Sequence, residues 1–258
     1  MNQKAKELGL NSTNFVTPHG LDEKEHYTTA HELALICDYA LKNEVFASIV
    51  NTKTYTITIN GQPKTLSNTN ELLGNLNGVN GVKTGFTNGA GRCLVTSTTR
   101  NGHQIICVVL GADTKKIRTA DSIKLIEYAF SNYEYVNVKE KLDNEFKNWL
   151  QQKAPNIHYE KAKQTNQQYE LEESNITWMP ILKNQQKDLQ ISIDYKTSIE
   201  APQTKGENIG QLKLKLGEEV LLTRNILLKQ DVDKKQIGDY LEQFSKNYCK
   251  YVLETIWN

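Results

Sequence analysis

The sequence predicts an α+β protein built in two parts and completed by a helix. Residues 1–131 mix helix-like and strand-like segments joined by tight-turn signals, which is typical of an antiparallel sheet packed with helices. Residues 132–230 read mostly as short alternating strands, which favours a small β-rich sandwich domain. Residues 231–258 return to a helical period with one apolar face. A length of 258 residues is sufficient for two domains of ordinary size.

Composition and charge exclude several classes of protein. Lys and Arg number 31 against 30 Asp and Glu, a net charge of +1, and nucleic-acid binders normally show a basic excess. The four cysteines are far apart with no C-x-x-C pair, and the histidines form no H-E-x-x-H motif, so we expect neither a metal nor another cofactor. No apolar run is long enough to span a membrane, and residues 1–7 do not resemble a signal peptide.

Helix signals frame the start of the first part. Met1 to Leu8 has high helix propensity and ends at Gly9. Thr28 or Thr29 can cap a second helix that runs to about Lys42. The apolar positions of that helix are Leu33, Ile36, Cys37, Ala40 and Leu41.

Alternating patterns and two Asn-Gly pairs, at 60–61 and 101–102, predict strands joined by tight turns. The polar stretch 67–80 is predicted to be a loop. The predicted strands are residues 54–59, 79–86, 92–99 and 103–110, and a helix follows over 115–130.

Two of these elements carry more specific expectations. The continuous apolar character of 103–110 indicates a strand in the middle of a sheet. The helix over 115–130 should direct Ile117, Ile123, Ile126 and Phe130 inward.

In the second part, clean alternation predicts strands over 189–195, 209–216 and 220–228. The terminal helix over 231–258 has an apolar face edged by Lys, Tyr and Trp257, which suits a helix lying on a membrane surface. The same pattern suits a helix packed on its own domain or on another copy, and the sequence does not separate these alternatives. The apolar face consists of Ile237, Leu241, Phe244, Tyr248, Tyr251 and Val252.

The clearest chemical motif is Lys83-Thr84-Gly85, on a predicted strand. Lysine supplies a cation close to a substrate carboxylate, and the threonine hydroxyl can hydrogen-bond that carboxylate. Glycine leaves room for a substrate backbone against the strand edge. Lys-Thr-Gly on a strand is one mark of the penicillin-recognising serine enzymes, although the tripeptide alone is a weak signal.

The amino-acid sequence around this motif resembles that of the serine-type D-alanyl-D-alanine carboxypeptidases, the low-molecular-mass penicillin-binding proteins. The resemblance implies a transpeptidase-like catalytic domain over 1–131, a β-rich C-terminal domain over 132–230 and an amphipathic terminal helix over 231–258. The matching stretches are 1–10, 14–22, 78–87, 90–95, 108–112 with Arg118, and 205–210.

One departure from the family pattern is central. The family's serine nucleophile lies in a Ser-x-x-Lys motif, and no lysine in this sequence has serine three positions before it. The family's Ser-x-Asn motif has only stray matches, at 12–14 and 245–247. We therefore expect a family member that lacks the N-terminal part of the catalytic domain. The alternatives are a chain that starts internally, a cleaved fragment, and the partner of a separate N-terminal piece.

The resemblance implies site roles for the residues that do match. Lys83 and Thr84 would bind the terminal carboxylate of the substrate and relay protons, beside Gly85. Arg118 would lie near the same carboxylate, since a planar guanidinium suits that task, although a solvent-exposed position at the start of a helix is the alternative. The backbone N–H of Phe86 would be an oxyanion-hole donor. His19 matches a family histidine for which a structural role is the favoured alternative.

The implied function is removal of the terminal D-alanine from peptidoglycan stem peptides, at the outer face of the bacterial cell membrane. β-Lactams would be ligands if the missing N-terminal part is present. A non-catalytic wall-binding or interaction module is the alternative, and the β-rich half disfavours a β-lactamase.

Overall fold

The computed structural model describes residues 1–256, with side chains through 252. Two compact units divide the chain, Met1–Asn132 and the part from Tyr133 onward. The first unit contains α1 (Asn2–Glu7), α2 (Ala30–Leu41), α3 (Glu44–Val50), β1 (Thr54–Ile59), β2 (Gln62–Ser67), β3 (Val79–Thr87), β4 (Gly91–Arg100), β5 (His103–Ala112) and α4 (Lys115–Asn132).

Local signals placed most elements of the first unit correctly. Thr29 caps α2, and its side chain accepts a hydrogen bond from the backbone N–H of Glu32. Asn60 and Gly61 both adopt positive φ in the two-residue turn between β1 and β2. Asn101 and Gly102 do the same between β4 and β5.

The main sheet of this unit is antiparallel and has the strand order β3-β4-β5. The prediction of a central position for residues 103–110 is wrong for the described chain, because β4 is the middle strand and β5 lies at the edge. Both α2 and α4 pack against β5, and this explains why the strand is apolar on both faces.

Helix α4 covers the sheet with a small core. Ile126 is fully buried against Leu94 and Cys107, and Ile123 and Phe130 pack around them. Ile117 was predicted to point inward but is 44% exposed. Its neighbour Arg118 takes the buried position, since successive residues on a helix are rotated by about 100°.

The second unit contains β6 (Tyr133–Asn137), α5 (Val138–Gln152), β7 (His158–Glu160), β8 (Tyr169–Leu171), β9 (Trp178–Leu182), β10 (Leu189–Tyr195), β11 (Ser198–Glu200), β12 (Asn208–Leu216), β13 (Glu219–Leu228) and α6 (Ile237–Ile256). Its largest sheet has the order β10-β12-β13-β8, and two-stranded ladders join β6 to β9 and β7 to β11. The prediction of a β-rich domain followed by a helix is confirmed.

Helix α5 was not predicted from the sequence. Asn137 caps it, and its buried residues Val138, Leu142, Phe146 and Trp149 follow a helical spacing. Trp149 packs edge-on against Tyr169 and Tyr195 in the core of this unit.

Helix α6 has an exposed apolar face. Phe244 is 70% and Leu241 62% exposed, while Lys163 pairs with Asp239 at 3.2 Å near the start of the helix. Trp257, which the sequence placed beside this face, lies outside the described residues. No described helix has both the length and the apolar content needed to cross a membrane.

Candidate functional site

The predicted site lies on β3, at the edge of the main sheet. β4 pairs with one side of this strand, and within residues 1–256 no strand pairs with the other side. Lys83 and Gly85 are exposed and Thr84 is half-buried. The three motif residues therefore lie along a strand edge that no other described strand occupies, which is the kind of edge to which an extended ligand adds.

The ammonium of Lys83 folds back along its own strand. Its Nζ atom donates a hydrogen bond to the backbone carbonyl oxygen of Thr84 at 2.6 Å. The side chain is exposed, so a ligand anion can compete for the ammonium without passing through the protein interior.

A short segment before β3 supports the strand through two hydrogen bonds. The hydroxyl oxygens of Thr69 and Thr84 lie 2.6 Å apart. The buried Asn70 donates from Nδ2 to the carbonyl oxygen of Gly81 at 2.8 Å. The sequence pattern indicates only a loop here and does not identify Thr69 or Asn70 as functional residues.

Arg118 is held by the same segment. It is only 2% exposed, and its guanidinium pairs with a carboxylate oxygen of Glu71 at 3.3 Å. The Thr119 hydroxyl donates to that oxygen at 2.8 Å. The Nε atom of Arg118 is buried without a hydrogen-bond partner among the described residues. The alternative of a solvent-exposed arginine is therefore wrong, and residues 69–71 connect Arg118 to Thr84.

Phe86 forms a cross-strand pair with Arg92. The two residues are opposite one another in the β3–β4 ladder, and the guanidinium carbon lies 3.5 Å from the centroid of the Phe86 ring. The ring is 52% exposed. Arg92 lies in the matching stretch 90–95, but nothing in the sequence gives it a role.

The loop that carries His19 is fixed at both ends. Near its end, Asp22 accepts a hydrogen bond from the Thr87 hydroxyl at 2.6 Å, at the end of β3. His19 itself is exposed, and its Nδ1 accepts a hydrogen bond from the backbone N–H of Leu21 at 3.2 Å. This contact is local and fits a structural role.

Glu32 anchors the start of the loop to α2. Its carboxylate accepts hydrogen bonds from the Thr13 hydroxyl and from the backbone N–H of Ser12 at 2.8 Å. The hydrogen bond from Thr13 is the main reason that the pKa of Glu32 lies below its ordinary value of 4.5. The ionised carboxylate is therefore the form that holds the loop.

A separate apolar cavity of about 1050 Å³ lies between α1, α2 and α3. Phe15, Tyr39 and Phe46 are among its lining residues, while Lys83, Thr84 and Arg118 are not. The cavity is thus distinct from the strand edge described above.

Family comparisons match both parts of the chain. Residues 1–114 match the family model for D-alanyl-D-alanine carboxypeptidase. Residues 156–234 match the model for the C-terminal domain of penicillin-binding protein 5. Lys83 to Thr87 lie inside the first match, and Arg118 lies four residues beyond its end.

Curated relatives match nearly the whole of this chain. The chain is 33% identical over 252 residues to the D-alanyl-D-alanine carboxypeptidase DacF of Bacillus subtilis, covering 97% of this chain and 62% of that protein. It is 30% identical over 247 residues to DacA of Escherichia coli, covering 94% of this chain and 58% of that protein. The chain thus spans about three fifths of the length of these relatives.

Among solved structures, the D-alanyl-D-alanine carboxypeptidase DacD of Francisella tularensis aligns with a TM-score of 0.65 at 25% identity. The alignment covers 91% of this chain and 67% of the other. The similarity therefore extends over a partial transpeptidase domain and the β-rich domain that follows it. Residues 1–114 thus resemble the D-alanyl-D-alanine carboxypeptidase family, and residues 156–234 resemble the C-terminal domain of penicillin-binding protein 5.

Proposed function

We propose that this chain supplies the substrate-binding part of a serine-type D-Ala-D-Ala carboxypeptidase acting on peptidoglycan stem peptides. The observation that carries the proposal is the open edge of β3, with Lys83, Thr84 and Gly85 in succession. An extended peptide can add to such an edge through its backbone, while the ammonium and the hydroxyl bind its terminal carboxylate.

Arg118 is the second cation of the proposed carboxylate site. Its burial and its ion pair with Glu71 hold the guanidinium in one orientation, and its Nε atom lacks a partner among the described residues. The backbone N–H of Phe86 would donate to the oxyanion that forms on the scissile carbonyl. His19 would support the loop beside the site.

The proposed reaction needs a nucleophile from outside these 258 residues. A serine hydroxyl attacks the carbonyl of the penultimate D-alanine, its proton passes to a lysine, and the terminal D-alanine leaves with a proton. Water then hydrolyses the acyl-serine. Because no Ser-x-x-Lys occurs in the sequence, the chain alone should neither turn over peptide nor form a covalent adduct with penicillin.

A non-catalytic wall-binding module is the second candidate function, and the same absence of Ser-x-x-Lys favours it. Under this candidate the edge of β3 would bind stem peptides without cleaving them. Both candidates place the chain on the outer side of the cell membrane, and the exposed apolar face of α6 supports binding to that membrane's surface.

Mass spectrometry and a complementation assay test the proposal. Penicillin added to the chain alone should leave its mass unchanged, and a stable adduct on any of its serines would contradict the proposed external nucleophile. The complementation assay adds the part of the Bacillus subtilis relative that this chain does not match. Hydrolysis of a D-Ala-D-Ala peptide should appear in that mixture. Binding of the peptide without hydrolysis in that mixture favours the wall-binding module instead.

A further inference from the structure

We infer that Arg92, stacked on Phe86, selects stem peptides that carry an acidic side chain immediately before D-Ala-D-Ala. This inference rests on the proposed function.

The Arg92 guanidinium is stacked and has no anionic partner in the part of the chain that the structure describes. Its carbon atom lies 3.5 Å from the centroid of the Phe86 ring, and no acidic side chain among the described residues forms an ion pair with it. The other three arginines, Arg100, Arg118 and Arg224, each pair with a carboxylate. Stacking on an aromatic face leaves the N–H groups in the guanidinium plane free to bind a carboxylate with two hydrogen bonds.

The pair lies on the same face of the sheet as Thr84. Residues two apart on a strand share a face, so Thr84 and Phe86 do, and Arg92 is directly opposite Phe86. Leu94 is opposite Thr84 and packs against Ile126 of α4, so this is the face covered by that helix. Arg92 therefore lies on the same face of the sheet as Thr84 and as α4, the helix that carries Arg118.

Spacing identifies the ligand residue that would meet Arg92. A peptide added antiparallel to β3, with its terminal residue beside Thr84, places the residue two positions earlier beside Phe86, about 7 Å along the strand. In a peptide ending in D-Ala-D-Ala, that is the residue immediately before the two alanines. A parallel peptide would place it beside Val82, which is only 7% exposed, so the antiparallel direction is favoured.

The matched ligands are three acetylated peptides, X-D-Ala-D-Ala, in which X is 2-aminoadipate, norleucine or lysine. Their side chains are similar in length but end in a carboxylate, a methyl group and an ammonium. Calorimetry with the full chain should show the aminoadipyl peptide binding about tenfold more tightly than the norleucyl peptide, since a charge-assisted hydrogen bond contributes that much. The lysyl peptide should bind most weakly.

Variants of Arg92 and a matched control assign the preference to this residue. Arg92→Gln should abolish the difference in affinity between the aminoadipyl and norleucyl peptides, because the glutamine amide carries no charge. Arg92→Lys should retain part of the preference, because it keeps the charge and loses the planar fork. Lys124→Gln removes the same charge from an exposed position on α4 and should leave the preference intact.

The outcomes separate this inference from the proposed function. If the preference persists in Arg92→Gln, or is absent from the unmodified chain, the inference is wrong. The proposed function still stands in that case, provided that Lys83→Ala lowers the affinity for all three peptides and that D-Ala-L-Ala analogues bind poorly. If none of the peptides binds, both proposals are wrong. Melting temperatures of the Arg92 variants should stay close to that of the unmodified chain. The contact that these variants lose is the stacking on Phe86, and such a contact contributes only about 1 kcal/mol.

Discussion

Gly85 and Cys93 are directly opposite one another in the β3–β4 ladder, and a Cβ atom added to Gly85 would lie 3.6 Å from the Cβ of Cys93. That is an ordinary van der Waals distance, and Gly85 does not adopt a positive φ. The fold itself therefore does not require glycine at this position. The requirement for glycine would come instead from a ligand backbone lying against the strand.

Replacing Gly85 by valine tests that interpretation. We expect Gly85→Val to fold with unchanged or slightly higher stability, because β-branched residues favour strands. Its affinity for a D-Ala-D-Ala peptide should fall by at least about tenfold, since the side chain occupies the space of the ligand backbone. Thermal unfolding and calorimetry measure the two effects. Loss of stability with unchanged affinity would mean that Gly85 has a structural role.

The control for this variant is Gly78→Ala. Gly78 has a φ of +81° and a Cβ atom there would lie 2.4 Å from the carbonyl oxygen of Thr99. This substitution should lower the melting temperature clearly, which confirms that the assay detects a glycine required by the fold.

Glu32 should make the stability of the first unit dependent on pH in the acid range. Its pKa is lower in the folded chain than in the unfolded chain, mainly because of the hydrogen bond from Thr13. The stabilisation is therefore fully present above pH 4.5 and is lost as the pH falls through the lowered pKa. Melting temperatures of the unmodified chain and of Glu32→Gln should converge on acidification.

Glu23→Gln is the matched control, because Glu23 is an exposed carboxylate in the same loop. The difference between this variant and the unmodified chain should remain small throughout the titration. A difference for Glu32→Gln that does not change with pH would contradict the role given to the ionised carboxylate.

Ile126 should contribute strongly to the stability of the first unit. It is fully buried between α4 and the sheet, so Ile126→Ala should lower the free energy of unfolding by about 2–5 kcal/mol. The neighbouring Leu125 is 50% exposed, and Leu125→Ala should change it by no more than about 1 kcal/mol. Equal effects in urea unfolding would contradict the orientation of α4.

The exposed face of α6 should bind anionic lipid vesicles. Phe244→Asp places a charge in that face and should reduce co-sedimentation with the vesicles strongly. Gln243→Asp adds the same charge at the adjacent position, about 100° around the helix, and should reduce it less. Equal binding by both variants and the unmodified chain would favour packing of α6 on protein.

Much of the fold could be predicted because its signals are local. The Asn60-Gly61 and Asn101-Gly102 turns, the Thr29 cap and the alternation of β10, β12 and β13 each depend on a few neighbouring residues. The edge position of β5 depends on which strands pair, and local sequence does not specify this. The strand is apolar because α2 and α4 pack against it, not because it lies in the middle of the sheet. Helix α5 did carry a helical period, which the surrounding strand signals obscured.

The candidate site was predicted only as far as its motif extends. Lys83, Thr84 and Gly85 are adjacent in sequence and stood out as a unit. The supporting residues Thr69, Asn70 and Glu71 precede them by more than ten positions, and only the folded segment brings them to Thr84, Gly81 and Arg118. The stacking of Arg92 on Phe86 depends on the register of β3 and β4, which no local pattern specifies.

We propose that the edge of β3 binds the terminal carboxylate of a D-Ala-D-Ala peptide. The most direct measurement is the affinity of that peptide for the chain with and without Lys83→Ala, with Lys124→Ala as the control for removal of a charge elsewhere. We expect Lys83→Ala to lower the affinity by about tenfold or more, as for removal of a charge-assisted hydrogen bond, and Lys124→Ala to leave it unchanged. Equal affinity of the unmodified chain and Lys83→Ala would contradict it.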